Sequence, residues 1–282
     1  MIDIAALTLK ELIRRRFVAG AIAATAALVG LTGWGFFYLN HIHAAHGRPV
    51  SHFEVLTMTS VLLILIAYLF SFLLAMAAVF IAAPSLANDI ESGVLLPVLA
   101  RPLSRGAILA GKGLALAIVI AAYAVLTGAC EFAIVNAATG YVPPAPAASL
   151  AYLALSGIVM TALALLLSTR MSALGASIVA VVAFIIVRLG GIAQSVGMYY
   201  DNDTVRHAGT ISQLLLPSDA MWQNALFGLE PASLIAALSN GHTWPGPFFT
   251  TAPPPAAMLV WTCAWIVAVA FFAGRSFALR DL

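Results

Sequence analysis

"VLTMTSVLLILIAYLFSFLLAMAAVFIAA" runs from Val55 to Ala83 without a charged side chain. A helix needs about 20 apolar residues to cross the hydrocarbon core of a bilayer, so this stretch is read as a transmembrane helix. The composition agrees: 62% hydrophobic against 9% charged residues over 282 positions lies far outside the range of a water-soluble domain. Five further stretches reach spanning length, at about 17–39, 106–138, 150–169, 173–193 and 256–274. Neither open strands nor irregular backbone can face lipid. The fold class is therefore an all-α integral membrane protein with six transmembrane helices in one domain over residues 1–282.

Orientation follows from where the basic residues fall, because translocating them is disfavoured. Counting six alternating spans puts ten of the 13 Lys and Arg on one side, among them Lys10, Arg14, Arg101, Arg105, Lys112, Arg170 and Arg275. Arg48, Arg188 and Arg206 remain. Both termini are expected in the cytoplasm and the chain in the cell membrane. The acidic and basic totals nearly cancel, which suggests no nucleic-acid partner. Asp3, Glu11 and Arg14 to Arg16 precede the first span without a clear cleavage site, so no cleavable signal peptide is expected. Cys130 and Cys263 read as small buried hydrophobes.

The outer side receives residues 40–54, a Pro-rich turn at 140–149 and an extended region at 194–255. The last is too long for an ordinary loop. From Ser218, read as a helix cap, Met221, Trp222, Ala225, Leu226 and Leu229 recur at helical spacing. They suggest an amphipathic helix lying at the outer interface. Tyr199, Tyr200, Trp222 and Trp244 read as an interfacial aromatic belt rather than a lid.

"RGAILAGKGLAL", Arg105 to Leu116, matches a phosphate-binding loop through Gly106, Gly111 and Lys112. Gly113 stands where that loop needs a Ser or Thr for magnesium, and the segment opens an apolar span instead of following a strand. Nucleotide binding by this chain is not expected on those grounds. Lys112 and Arg105 are expected to anchor at lipid headgroups. The connection before it, 84–105, is the longest on the cytoplasmic side. Its Asp89 and Glu91 would be repelled by an anionic leaflet, which favours docking on a cytoplasmic protein.

These residues resemble the membrane subunits of type-2 ABC transporters, the exporter-type permeases. The resemblance rests on Glu91 and Gly93, the apolar run from Val94 to Leu99, "RPLSR" from Arg101 to Arg105, and Gly111 with Lys112 at the third span. "LTLKELIRRRF" (Leu7 to Phe17) is similar to the family's cytoplasmic amphipathic helix leading into the first span, and "FALRDL" (Phe277 to Leu282) to its tail. "ESGV" departs from the pattern, as does Pro97, which should break or kink a helix. The resemblance implies a coupling helix between spans two and three, with Asp89, Glu91, Gly93, Arg101, Pro102 and Arg105 facing a separate ATPase subunit. It also implies a homodimer, or a heterodimer with a related permease, on two ATPase copies. ATP and magnesium would be held by the partner, with no cofactor in this chain.

Within the spans, Glu131 and Arg188 lie at comparable depth, and an ion pair between them is the simplest expectation, as a structural clamp or a gating pair. His41, His43, His46 and His52 lie in the first outer loop and could capture a transition metal, with a solvated cluster as the plain alternative. Neither HExxH nor a Gly-x-Ser-x-Gly turn is present, so an intramembrane enzyme is not supported. An ion-coupled secondary transporter, or a membrane scaffold without transport, is the alternative function, although no internal repeat favours the former.

Overall fold

The computed structural model describes residues 16–45, 52–91, 105–232, 234–236, 246, 248–250, 253 and 255–279, the side chains at 16–19, 39–45, 52–54, 56 and 105 excepted. In chain order the helices are α1 (Arg16–Ala45), α2 (His52–Glu91), α3 (Arg105–Thr139), α4 (Pro146–Ser168), α5 (Ala173–Tyr199), α6 (Asp203–Leu215), α7 (Ser218–Phe227) and α8 (Ala256–Ala278). Among the described residues there is no strand. Helices α1 to α5 and α8 are long and apolar enough to cross a membrane. The end of the bundle where α1 begins is termed basal, and the opposite end distal.

Local chemistry sets several boundaries. Gly140 has φ +72°, a conformation open to glycine, and it closes α3 by donating to the Asn136 carbonyl at 2.8 Å. Pro146 starts α4 in the first turn, where its missing N–H costs nothing. Ser172 caps α5 by accepting from the Gly175 amide at 3.3 Å.

Helices α2 and α4 form the centre, burying Leu63, Ile64, Phe70, Leu74, Val79, Val159 and Met160. Gly157 lets both α3 and α2 close on α4: a Cβ there would lie 2.6 Å from Ile120 of α3 and 3.2 Å from Leu74 of α2. Helices α1 and α8 instead expose apolar side chains such as Ile22, Trp34, Val267 and Phe271, as lipid or a second subunit requires. Cys130 and Cys263 are exposed on the bundle surface, not buried as expected. Helix α2 also runs past Ala83, through Pro84 to Glu91, so Asp89 and Glu91 cap the second span rather than belonging to a separate segment.

The largest departure from expectation lies between spans five and six. Asn202 caps α6 by accepting from the Val205 amide at 3.2 Å, after a turn in which Asp201 takes φ 51°, tolerated by Asp. Helix α6 then runs back antiparallel along α5. Gly209 makes this possible, since a Cβ there would lie 2.5 Å from the Gly190 carbonyl oxygen. Helix α7 returns towards the distal end along α4. At its deep end Ser156 donates to the Ser218 carbonyl at 3.0 Å, and at its distal end Ser149 donates to the Ala225 carbonyl at 2.9 Å. At 1.5 Å per residue, Ser156 lies about 15 Å along α4 from Pro146.

The α6–α7 hairpin thus re-enters the bundle to roughly the middle of the spans. Such a tip is tolerated at membrane depth only where its backbone finds partners. The last carbonyls of a helix have none of their own. Here Trp261 Nε1 donates to the Leu214 carbonyl at 3.0 Å, and Trp265 Nε1 to the Leu215 carbonyl at 2.9 Å. These tryptophans stand four residues apart on α8 and so share one face.

The expected amphipathic interfacial helix is therefore corrected. In α7 every residue from Ser218 to Leu226 except Gln223 is buried, because the helix is enclosed by neighbours on all sides. Pro217, not Ser218, occupies the cap position, without a side-chain hydrogen bond. Trp222 is core and not belt, being 2% exposed. Tyr199 and Tyr200 are exposed, while Trp244 lies outside the described residues.

Candidate functional site

The deep tip of the hairpin is held by one cation. Arg188, 4% exposed, donates from Nη1 to Asp219 Oδ1 at 3.1 Å and from Nη2 to Ser71 Oγ at 2.9 Å. The second Asp219 oxygen accepts from Gln213 Nε2 at 3.2 Å and Gln223 Nε2 at 3.0 Å. The guanidinium carbon lies 5.1 to 5.6 Å from the ring centroids of Tyr68, Phe72, Phe184 and Trp222, within cation–π range. This pin joins α2, α5, α6 and α7. The adjoining cavity, of about 10 Å³, sits at the lower limit for one water molecule. In this conformation the cluster is a closed structural joint with no room for a larger ligand.

The expected Glu131–Arg188 pair is not formed. Arg188 turns to Asp219, and neither Glu131 oxygen has a hydrogen-bond partner among the described residues. Depth alone suggested the pairing. Glu131 is on α3 and faces the α1 side, where Thr32 is its neighbour, whereas the re-entrant helix brings Asp219 directly to α5.

A second joint closes the basal end. Lys112, 6% exposed, donates from Nζ to the Ser85 carbonyl at 2.6 Å and forms an ion pair with Asp89. Its charge also meets the negative end of the α2 dipole. Lys112 is thus a buried clamp between α2 and α3, correcting the expectation that it anchors at headgroups; the Arg105 side chain lies outside the described residues. The phosphate-loop look-alike is helical from Arg105 onward, with its lysine already engaged. Nearby, Arg170 Nε donates to Ser276 Oγ at 2.9 Å, and Thr169 shares a hydrogen bond of 2.8 Å with the same hydroxyl, joining the basal ends of α4 and α8.

A bundle of six helices long and apolar enough to cross a membrane is what the sequence resemblance anticipates. The family model for ABC-2 family transporter proteins matches residues 4–282. The chain belongs to the ABC-2 transporter family. It is accordingly the multi-pass membrane subunit of an ABC transporter, and the ATPase is a separate subunit. No curated protein matches the chain.

Of the residues expected to couple this ABC-2 subunit to its ATPase, Asp89 is in the clamp and Glu91 is exposed at the end of α2. Arg105 opens α3, while Gly93, Arg101 and Pro102 lie outside the described residues, as do the lead-in stretch 7–15 and the last three residues of the tail. The expected first outer loop is helix at His41 and His43, on α1, and at His52, the first residue of α2. Their side chains and His46 lie outside the described residues, as does any site they could form. Trp261, Trp265, Ser71 and Asp219 were not singled out beforehand. The one sequence signal for Ser71 and the two tryptophans is a polar or indole group within an otherwise apolar helix.

At the distal end Glu230 accepts from the Thr250 amide at 2.8 Å, while Tyr141 donates to the Leu229 carbonyl at 2.7 Å. Burial pushes the Glu230 carboxyl up to about 8, opposed by the hydrogen bond from Thr250. Burial first, and the Glu230 charge second, push Tyr141 up to about 12. Between the ordinary value of 4.5 and about 8, folded Glu230 keeps a proton that the unfolded chain has lost. Stability contributed by this group is therefore fully present below about 4.5 and declines as pH rises through about 8. The thermal midpoint of the purified protein should fall across that window, and Glu230→Gln should flatten the fall. An unchanged pH profile in the variant would refute the assignment.

Proposed function

We propose that the chain is the permease subunit of an ABC exporter, working as a pair, homodimeric or with a related permease, on two copies of the ATPase. The basal end is the cytoplasmic end, and the connection from Ser92 to Ser104 docks on the ATPase. The observation that carries this reading is the clamp. Because Lys112 binds Asp89 and the Ser85 carbonyl, a push on the connection moves the ends of α2 and α3 together rather than bending one.

Helix α2 then carries the displacement towards the pin. Ser71, which accepts from Arg188, lies about 21 Å along α2 from Ser85. A rise or rotation of α2 shifts Ser71, Tyr68 and Phe72 against Arg188 and so loads the re-entrant hairpin. Coupling between distant sites needs such rigid elements joined at discrete contacts. ATP closure at one end is thereby converted into movement of the hairpin at the other, and substrate leaves on the distal side.

Reconstitution tests this. The chain and its ATPase, placed together in proteoliposomes, should hydrolyse ATP and move substrate away from the ATPase side, and the chain alone should bind no ATP. ATP-independent movement driven by an ion gradient through the chain alone would overturn the reading in favour of a secondary transporter.

A further inference from the structure

One buried ionisable group within the spans takes part in neither joint. Glu131 on α3 is 3% exposed, and among the described residues neither of its oxygens has a hydrogen-bond partner. It lies where α1 and α3 run in parallel. Thr25 and Tyr123 share a hydrogen bond of 2.6 Å across this interface. Seven residues further along α1 and eight along α3, the Thr32 hydroxyl and the Glu131 carboxyl reach the same level and interact, short of hydrogen-bond geometry. Thr32 nevertheless donates to the Leu28 carbonyl at 2.9 Å.

Among the described side chains, the helices packed on α3 offer no counter-charge at this point. The described side chains of α1 include one ionisable group, Tyr38, and those of α4 only Tyr152. The described side chains of α2 include Tyr68 and, at its basal end, Asp89 and Glu91, those of His52 and Glu54 lying outside the described residues, while α8 contributes Cys263 and basal Arg275. On α3 itself, Tyr123, Cys130 and the distant, engaged Lys112 complete the set of described side chains. A second subunit cannot reach the carboxyl either, since it is already covered within one chain.

A bare carboxylate in such a place costs several kcal/mol, whereas a neutral carboxyl buries only a hydroxyl and a carbonyl. We propose that Glu131 is an intramembrane proton-binding site: its carboxyl holds a proton while α1 and α3 are packed as here, and releases it to water when they part. Proton occupancy thereby favours the packed arrangement of spans one and three. The inference rests on Glu131 and its surroundings and is independent of the direction of transport.

The test uses the full chain in lipid nanodiscs at about pH 8, well above the ordinary glutamate range. Dicyclohexylcarbodiimide enters membranes and adds across a protonated carboxyl, leaving a stable N-acylurea. Mass spectrometry should find that adduct on Glu131, and the infrared difference between wild type and Glu131→Gln should contain a protonated carboxyl band, over and above any that Glu230 gives in both. The Gln variant, neutral and nearly isosteric, should melt within a degree or two of wild type. Absence of the adduct, an ionised Glu131 band in wild type, or a Gln variant that does not fold would each overturn the proposal.

Discussion

Arg188→Met should cost about 3–5 kcal/mol of stability, because removing one partner of a buried pair leaves the other charge uncompensated. Here that charge is Asp219, held within the bundle by Gln213 and Gln223 with no second cation paired to it among the described residues. Asp219→Leu should be similarly damaging, since it strands the guanidinium among Tyr68, Phe72, Phe184 and Trp222. The double variant should lose less than the sum of the two, because no unpaired charge remains in it. Thermal survival of detergent-solubilised protein, followed by size-exclusion chromatography, measures all three. Additive losses would mean that Arg188 and Asp219 act separately, and that the hairpin is held by packing alone.

Lys112→Met should act differently, sparing the fold while weakening coupling. The clamp lies at the basal end, with the Asp89 side chain 21% exposed, so water can partly replace the lost contact. Transport per ATP hydrolysed should fall by about 5- to 150-fold, the usual span of coupling between sites, with the ATPase still bound. Exchanging the pair, Lys112→Asp with Asp89→Lys, should recover part of the loss. Unchanged transport per ATP in Lys112→Met would remove the clamp from the drive train and leave it as a structural contact.

The spans were legible because hydrocarbon imposes one simple demand, about 20 apolar residues in helical form, and the six stretches meet it without ambiguity. The re-entrant hairpin was not. Its alternation of Leu214, Leu215, Met221 and Trp222 with Gln213, Asp219 and Asn224 suits an interface equally well, and periodicity within one helix cannot tell that all its faces are covered. Arg188 shows the same gap between depth and azimuth. Position along the sequence placed Glu131 and Arg188 at one level, yet which helix face meets which neighbour is fixed by close approaches such as Gly209 on the Gly190 carbonyl. Lys112 was misread for a related reason. A lysine at a span's end can reach headgroups or turn inward, and the choice is made by the Ser85 carbonyl and Asp89 one helix earlier in the chain.

If the connection between α2 and α3 receives the force of ATP closure, it must touch the ATPase. A photo-crosslinking amino acid in place of Arg101, in membranes containing both subunits, tests this most directly. An adduct with the ATPase subunit whose yield changes when ATP is added is the expected result. Adducts with lipid alone, whether or not ATP is present, would contradict it.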